Sequence, residues 1–531
     1  MENVEKSREK FGKTVTISTE EYEKFQAQSH KISELEKRVE ILTEALQLSR
    51  HKRFGASSEK SDEEVMGQLS FLFDEAEVYV EAQKAEDETV TKVAAYQRRK
   101  KNEYTLDKLP DGVPTERVEH RLDASDLNCP QCGEVMSEIG KEVVRTLKLI
   151  PAKTVVVEHV YYTYACQKCG KEGTETPIVK APRETNILPG SFATPEAISH
   201  IMTQKFCMGS PIYRQEQELN RQGIMLSRQT MSNWILKSAE MYLAPVYEQL
   251  HRELLKREVL HADETPIQVL HEVDKAPQSK SYMWLYRTSG DTSKPIVLYE
   301  YQSNRSATNP KEFLNGFKGY LHTDGYAGYH NLPEEITVVG CWAHLRRKFD
   351  EAMKSLPKGK AKNSSAAQGL AFCTQLFALE KQLENCSSEE RYKLRMEQEK
   401  PVLDAFLSWA KVRTAAPKSA LGKALTYREA QWPYLTNYLL DGRLELSNNR
   451  AERSIKPFVI CRKNFLFANT PGGARGSAII FSMIQTAIEN VLDPYRYLTW
   501  LLRTAKDLDL QNESSIQMLL PWNAPEECRV K

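Results

Sequence analysis

The stretch "VLHADETPIQVL", residues 259–270, sets the problem for the whole chain. Its apolar, β-branched start reads as a buried strand, and the run ends on an acid, Asp263, followed by Glu264, Thr265 and Pro266. A lone carboxylate at the end of a core strand is costly unless something positive lies beside it, and a metal ion is one such partner. "GYLHTDGYAGY" (319–329) repeats the pattern, with strand residues running into Asp324 and Gly325.

Outward from 259–270 the reading is β-rich. "SYMWLYRT" (281–288) and "PIVLYEYQ" (295–302) predict two further strands of a meander. A helix on "NPKEFLNGF" follows, then the strand into Asp324, a fifth strand on "EITVVGC" and a helix on "WAHLRRKFDEAM". This order predicts a mixed α/β sheet in which Asp263 and Asp324 meet if the first and fourth strands are neighbours. By itself, an Asp at a strand end is more often a turn former than a ligand. "LSNNRAERSIKPF" (446–458) offers a third acid, Glu452. With Asn449 as N-cap, Glu452 closes a capping box, a role compatible with metal binding; Pro457 is expected to limit or kink the helix. Glu452 stands among Arg443, Arg450, Arg453, Lys456, Arg462, Lys463 and Arg475, the mixture of acids for metal and bases for phosphate that nucleic-acid chemistry uses. His344, Arg346 and Arg347, after the fifth strand, are candidates for phosphate contact, or else a solvated basic face. "TPGGARGSA" (470–478) lacks the Lys-Ser/Thr ending of a P-loop and reads as a turn before a helix starting near Ser477. Asp493 and Pro494 open the last strong helix as cap and first residue.

The N-terminal half is modular. Phe25, Ile32, Val39 and Leu46 alternate with Leu35 and Leu42, an a/d seam of about three heptads. A parallel coiled coil, hence at least a dimer, is one reading; an amphipathic helix packed on its own domain is the other. A polar, acid-rich linker follows. "CPQC" (Cys129, Cys132) and "CQKC" (Cys166, Cys169), with the strand-like "KTVVVEHVYYTYAC" leading into the second, place four thiolates to close a tetrahedron around structural Zn²⁺. His159 is a possible substitute ligand but sits inside the strand run. "SPIYRQEQELNRQGIMLSRQTMSNWILKSAE" (210–240) outlines a helix-turn-helix: a helix ending near Gln222, Gly223 as the left-handed stop, and Ser227 or Ser232 capping a second helix. Arg214, Arg221, Arg228 and Lys237 are its candidate DNA contacts, a hairpin used only for packing being the alternative.

The 531 residues imply several domains, and the charge of +1 confines any nucleic-acid surface to local basic stripes. No apolar run approaches the ~18 residues of a membrane span, no signal-peptide core opens the chain, and the other six cysteines follow no pattern, so a reducing cytoplasm is the expected compartment.

"HADETP", "LHTDGYAGY", "GCWAHLRRKF" and "SNNRAERSIKPF" followed by "FLFANTPGGARGSA" resemble the insertion sequence 66 family of bacterial DDE transposases, and the likeness extends over nearly the whole chain. The resemblance implies a ribonuclease-H-like catalytic domain, with Asp263, Asp324 and Glu452 as the acid triad, in a multidomain α+β protein. The implied layout is a leucine-zipper-like segment (1–60), linker (61–105), zinc-binding domain (106–180), helical DNA-binding region (181–250), catalytic domain (251–355 and 443–508) interrupted by an α-helical insertion (356–442), and a C-terminal tail (509–531). Carboxylate ligands select Mg²⁺ or Mn²⁺, and two ions about 3.5–4 Å apart serve an in-line displacement. Water first attacks the phosphodiester at the transposon end; the freed 3′-hydroxyl then attacks target DNA. The implied partners are terminal-repeat and target DNA, with accessory proteins of the same element, in a nucleoid-associated cytoplasmic protein. A DNA-binding regulator without catalysis, and a ribonuclease-H-like nuclease that cuts without joining, are the competing readings.

Overall fold

A computed structural model of the chain describes residues 154–165, 178–290 and 292–530. The heptads, the linker and all four zinc-type cysteines lie outside these residues. Two units are distinguished, and the described part of the smaller one is short. In it, β1 (Thr163–Ala165) pairs antiparallel with β2 (Ile178–Lys180). Of the strand expected over "KTVVVEHVYYTYAC", the described residues form one only at Thr163–Ala165; the "VVVEHVYY" run before it pairs with no strand among them, and His159 is exposed there, stacked on Tyr161.

The larger unit begins with helices. Thr194 caps α1 (Pro195–Phe206), its side chain accepting from the Ala197 N–H. The helix-turn-helix outline is present: α2 (Ile212–Arg221), Gln222 at its C-cap, Gly223 at φ +80°, and Ser227, rather than Ser232, capping α3 (Arg228–Ser238). Gly223 takes the left-handed conformation that a side chain resists. A π-helical turn joins α3 to α4 (Ala244–Leu255). These helices share one hydrophobic cluster with the sheet that follows, through Met231, Trp234, Ile235 and Leu250.

The sheet strands are β3 (Val259–Val269), β4 (Lys280–Thr288) and β5 (Val297–Gln302), an antiparallel meander; then α5 (Thr308–Phe313), β6 (Gly319–His322) and β7 (Ile336–Val339). Their spatial order is β5-β4-β3-β6-β7, with β3, β6 and β7 mutually parallel. The predicted adjacency of the first and fourth strands is therefore present. One expectation needs correction: Asp263 does not end its strand. β3 continues through Pro266 to Val269, pairing with β4 along its length. On the other edge it meets β6 only at residues 259–261 and a short strand at residues 467–468 only at 268–269, and a proline is tolerated where strand pairing is one-sided.

After β7 comes α6 (Trp342–Lys354) and then the insertion, which is helical as expected: α7 (Lys358–Ala361), α8 (Ser365–Gln382), α9 (Ser388–Leu394), α10 (Lys400–Lys411) and α11 (Ala420–Leu435). It shares a second cluster with α6, built on Trp342, Phe349, Leu376 and Phe406. At its base lies a fully buried Arg395, whose guanidinium pairs with Glu380 and donates to the carbonyls of Tyr438, Asp441 and Leu444 at 2.7–3.1 Å. That one side chain pins the segment by which the chain returns to the sheet.

The return delivers α12 (Asn449–Phe465), β8 (Phe467–Ala468), α13 (Pro471–Glu489), α14 (Pro494–Ala505) and α15 (Glu513–Met518). Two further expectations are corrected. Pro457 does not limit α12, because Ile455, Phe458 and Val459 bury around it and hold the helix to Phe465. The helix expected near Ser477 begins at Pro471: Thr470 caps it, accepting from the Gly473 N–H, so the glycines form its first turns. Gly476 lets α3 approach, since a Cβ there would sit 2.5 Å from Leu236. Asp493 and Pro494 open α14 as expected, and the segment after it folds back, Tyr497 donating to the Leu519 carbonyl at 2.8 Å. On the sheet, α12 and α13 cover the Asp263 face: Arg287 on β4 forms a two-pronged ion pair with Glu489 (2.9 and 3.0 Å), and Tyr299 donates to the Ser454 carbonyl.

Beside Arg395, the Glu399 carboxyl is buried and accepts from the Tyr438 hydroxyl at 2.7 Å. Burial, then the neighbouring Glu380, push it from an ordinary 4.5 up to about 8. The folded chain thus holds a proton that the unfolded chain has released, so folding takes up a proton between these two values and stability falls as pH rises through that window. Glu399→Gln is expected to flatten the decline in melting temperature between pH 5 and 8, read by thermal melts of both proteins.

Candidate metal centre

The register of the parallel pair places the first two acids. His261 on β3 stands opposite His322 on β6, and two residues further along come Asp263 and Asp324. Asp263 is 3% exposed. Its Oδ1 accepts the Glu264 N–H at 2.8 Å, while its Oδ2, also buried, has no hydrogen-bond partner among the described residues. Burial first, then the charges of Asp324 and Glu264, hold its carboxyl well above the usual carboxylate range. Such a group is stabilised by a cation.

Asp324 sits in the loop after β6, its Oδ1 accepting the Tyr326 N–H at 2.9 Å. Gly325 follows at φ +93°. The loop is held from the insertion: on α11, Tyr427 donates to the Asp324 carbonyl at 2.9 Å and Gln431 to the Gly325 carbonyl at 3.1 Å. A Cβ on residue 325 would meet the Tyr427 hydroxyl at 2.7 Å, so glycine is needed for both its conformation and the close approach. From the opposite face of β3, Glu264 holds the far side of the same loop. It accepts from Tyr329 at 2.6 Å and from Arg305, whose guanidinium lies 3.9 Å over the Tyr326 ring.

The third acid arrives on α12. Asn448, not Asn449, is the N-cap, and no capping box forms, because the Asn448 side chain is occupied elsewhere. Its Nδ2 donates to the Ala262 carbonyl at 2.8 Å, on the side of β3 left open between β6 and β8. Its Oδ1 faces His261 Nδ1 at 3.0 Å, and its backbone N–H points to Cys341 Sγ at 3.2 Å. One buried residue thus ties α12 to the strand bearing Asp263 and to the start of α6. Below it the His261 and His322 rings stack at 4.3 Å, both kept neutral by burial. Glu452, one turn into α12, is 7% exposed and lies 3.7 Å from His344 Nδ1. Asp324 and Glu452 share a neighbour: burial, then Cys341, Asp324 and Glu452, push the Tyr427 hydroxyl well above its usual range.

The candidate phosphate contacts divide. His344 joins the acids, and burial holds its pKa at about 4. Arg346 and Arg347 are half-buried on α6. Arg450 pairs with Glu445 at 2.6 Å, Arg453 is exposed, and Lys456 is half-buried one turn beyond Glu452. Arg214, Arg221, Arg228 and Lys237 are exposed on α2 and α3, apart from the acids, with Arg221 paired to Glu218 at 2.8 Å. Sequence reasoning missed Asn448, Cys341, Glu264, Arg305, Tyr427 and Gln431. Only the Cys-x-x-His spacing of Cys341 and His344 and the paired asparagines carried any signal.

A family model described as "Transposase IS66 family" matches residues 190–476, which takes in α2, α3, the whole sheet, the insertion and all three acids. The chain belongs to this family. Its "zinc-finger binding domain of transposase IS66" matches residues 126–170, the segment containing Cys129, Cys132, Cys166 and Cys169, and supports bound Zn²⁺ there. A third model, "Transposase C of IS166 homeodomain", matches residues 41–118. These IS66 models support a transposase role with DNA as partner. Two proteins of Sinorhizobium fredii (strain NBRC 101917 / NGR234) are 29% identical to this chain: "Uncharacterized protein y4hP" over 87% of each chain, and "Uncharacterized protein y4qI" over 92% of this chain and 89% of its own. No described helix is long and apolar enough to cross a membrane.

Asn448→Ala leaves the Ala262 carbonyl and the His261 ring nitrogen buried without their partner, so a loss of about 2–4 kcal/mol is expected in urea unfolding. Tyr427→Phe removes one hydrogen bond and is expected to cost only about 1 kcal/mol.

Proposed function

We propose that this IS66 transposase binds the ends of its element and both cuts and joins DNA at a ribonuclease-H-like centre, with Asp263, Asp324 and Glu452 holding Mg²⁺ or Mn²⁺. The observation that carries the reading is Asp263 Oδ2: a buried carboxylate oxygen without a hydrogen-bond partner among the described residues, close to a second acid in the loop that follows the neighbouring parallel strand. Neutral burial would leave this group a poor fit to its surroundings, whereas hard divalent cations are held by such oxygens. The order β5-β4-β3-β6-β7, an antiparallel meander joined to a parallel pair, supports the ribonuclease-H-like description.

Bound Mg²⁺ would supply Lewis-acid activation of the attacking oxygen and charge stabilisation of the leaving one. The chain's own residues do the rest. Asp263 is fixed by its strand, Asp324 by a loop gripped from two sides, and Glu452 by a helix anchored through Asn448 and through the Ser454 hydroxyl, which accepts from Arg287. Arg453 and Lys456, flanking Glu452, are placed for phosphates of DNA entering the site, and His344, Arg346, Arg347 and Arg450 for those nearer the acids. With water as first nucleophile and a DNA 3′-hydroxyl as second, no covalent protein intermediate is needed. The exposed Arg214, Arg221, Arg228 and Lys237 supply backbone contacts to element ends. A dimer formed through the N-terminal heptads, aided by proteins of the same element, would pair two ends.

The test is cleavage and strand transfer on DNA carrying the element's terminal repeats, with Mg²⁺ or Mn²⁺ and the accessory proteins present. Asp263→Asn, Asp324→Asn and Glu452→Gln are each expected to lose more than about a hundredfold in both steps while still binding DNA. Active variants would remove the acids from the mechanism. A wild type that binds and never cuts would point to a regulator, and cutting without joining to a nuclease.

A further inference from the structure

Among the described residues, one trio of side chains brings metal-ligand atoms of different chemistry together: Cys341, His344 and Glu452, whose Sγ, ring nitrogen and carboxylate oxygen all lie within 4.8 Å of one another. The geometry points to a second kind of metal site here, one for a thiophilic divalent cation, Zn²⁺ by its donor set, which shares Glu452 with the acid triad. Its regulatory consequence rests on the reading of Glu452 proposed above: a cation seated on Cys341 and His344 takes that carboxylate away from Mg²⁺ and silences the enzyme.

The backbone builds the trio for a reason independent of the acids. Cys341 is the N-cap of α6 and His344 its third residue, so the Cys-x-x-His spacing sets both side chains over the first turn of one helix. Glu452 occupies the first turn of α12. Two helix N-termini therefore converge on the trio, and their partial positive charge favours anionic ligands. Cys341 Sγ receives the N–H groups of Asn448, Ala343 and His344, while burial, then Glu452, push its thiol up to about 12, so the sulfur becomes a ligand only as a cation displaces its proton. Binding would release the thiol proton to solvent and place sulfur on the cation. Thiolate, imidazole and carboxylate together form a donor set of the zinc type, whereas Mg²⁺ prefers oxygen alone. Cys341 and Glu452 are 1% and 7% exposed and His344 is half-buried, so the site is shielded yet open on the histidine side.

The test uses the full chain with its N-terminal zinc module already loaded with Zn²⁺, titrated with Co²⁺. The expected result is a thiolate-to-cobalt charge-transfer band and the intense visible bands of tetrahedral Co²⁺, saturating at one equivalent. Cys341→Ser and Cys341→Ala should abolish the charge-transfer band. His344→Gln, which keeps the thiol, should weaken Co²⁺ binding at least tenfold, and Asp263→Asn should retain the band. Thermal melts establish that each variant is folded. A wild type with no thiolate band, or a band that both Cys341 variants keep, overturns the site. A parallel assay adds Zn²⁺ to the Mg²⁺-dependent cleavage reaction, and inhibition of the wild type is expected. If the band appears but the protein never cuts DNA, the transposition chemistry fails and the metal site stands; if it cuts but shows no band, the reverse holds.

Discussion

A sheet strand covered on both faces must bury whatever it carries, and β3 carries two adjacent acids that point to opposite faces. Glu264 is satisfied locally by Arg305 and Tyr329, although burial and Asp324 still push its carboxyl up to about 7. Asp263 has a single backbone N–H. The elements nearest β3 follow from this imbalance. The loop bearing Asp324 is gripped on one side by the Glu264 cluster and on the other by α11, and α12 is anchored to the open edge of β3. A stacked pair of neutral histidines fills the space beneath, adding no charge to a neighbourhood that already has too much of one sign.

The insertion is part of this support. Tyr427 and Gln431 grip the Asp324 loop, while hydrogen bonds from the Gly340 N–H to the Tyr434 carbonyl and from the Trp342 ring N–H to the Leu435 carbonyl fix the start of α6 (3.0 and 2.8 Å). Helices inserted between the second and third acids thereby position both, because α11 sits against the loop of one and the helix flanking the other. Arg395 serves the same end from the far side, holding the returning chain that leads into Asn448.

Much of this was legible in the sequence, and the exceptions have physical causes. The meander, the two parallel strands and the α2–α3 hairpin were readable because alternation, a left-handed glycine and a serine cap are local signals. Pro266 and the polar run before it looked like the end of a strand; they sit within one because the opposite edge of β3 has no strand partner there. The choice between Asn448 and Asn449 as cap could not be made locally, since Asn448 had been recruited by Ala262 and His261, nearly two hundred residues away. Pro457 suggested an early end or kink in one helix and Gly472–Gly473 a turn ahead of another; tertiary burial carries the first through, and a Thr470 cap starts the second at Pro471. Tyr427 and Gln431 are unremarkable in sequence, because their meaning lies in a contact across about a hundred residues.

Gly476 has an implication for how the protein comes into being. It lets α3 lie close on α13, so the hairpin that carries the exposed arginines finishes its packing only when a helix near the other end of the chain has been made. Glu452 and β8 are likewise late, and β8 joins the far end of β3. During synthesis, therefore, neither the basic α2–α3 hairpin nor the acid cluster is complete ahead of the other. The two mature together, on the same later helices.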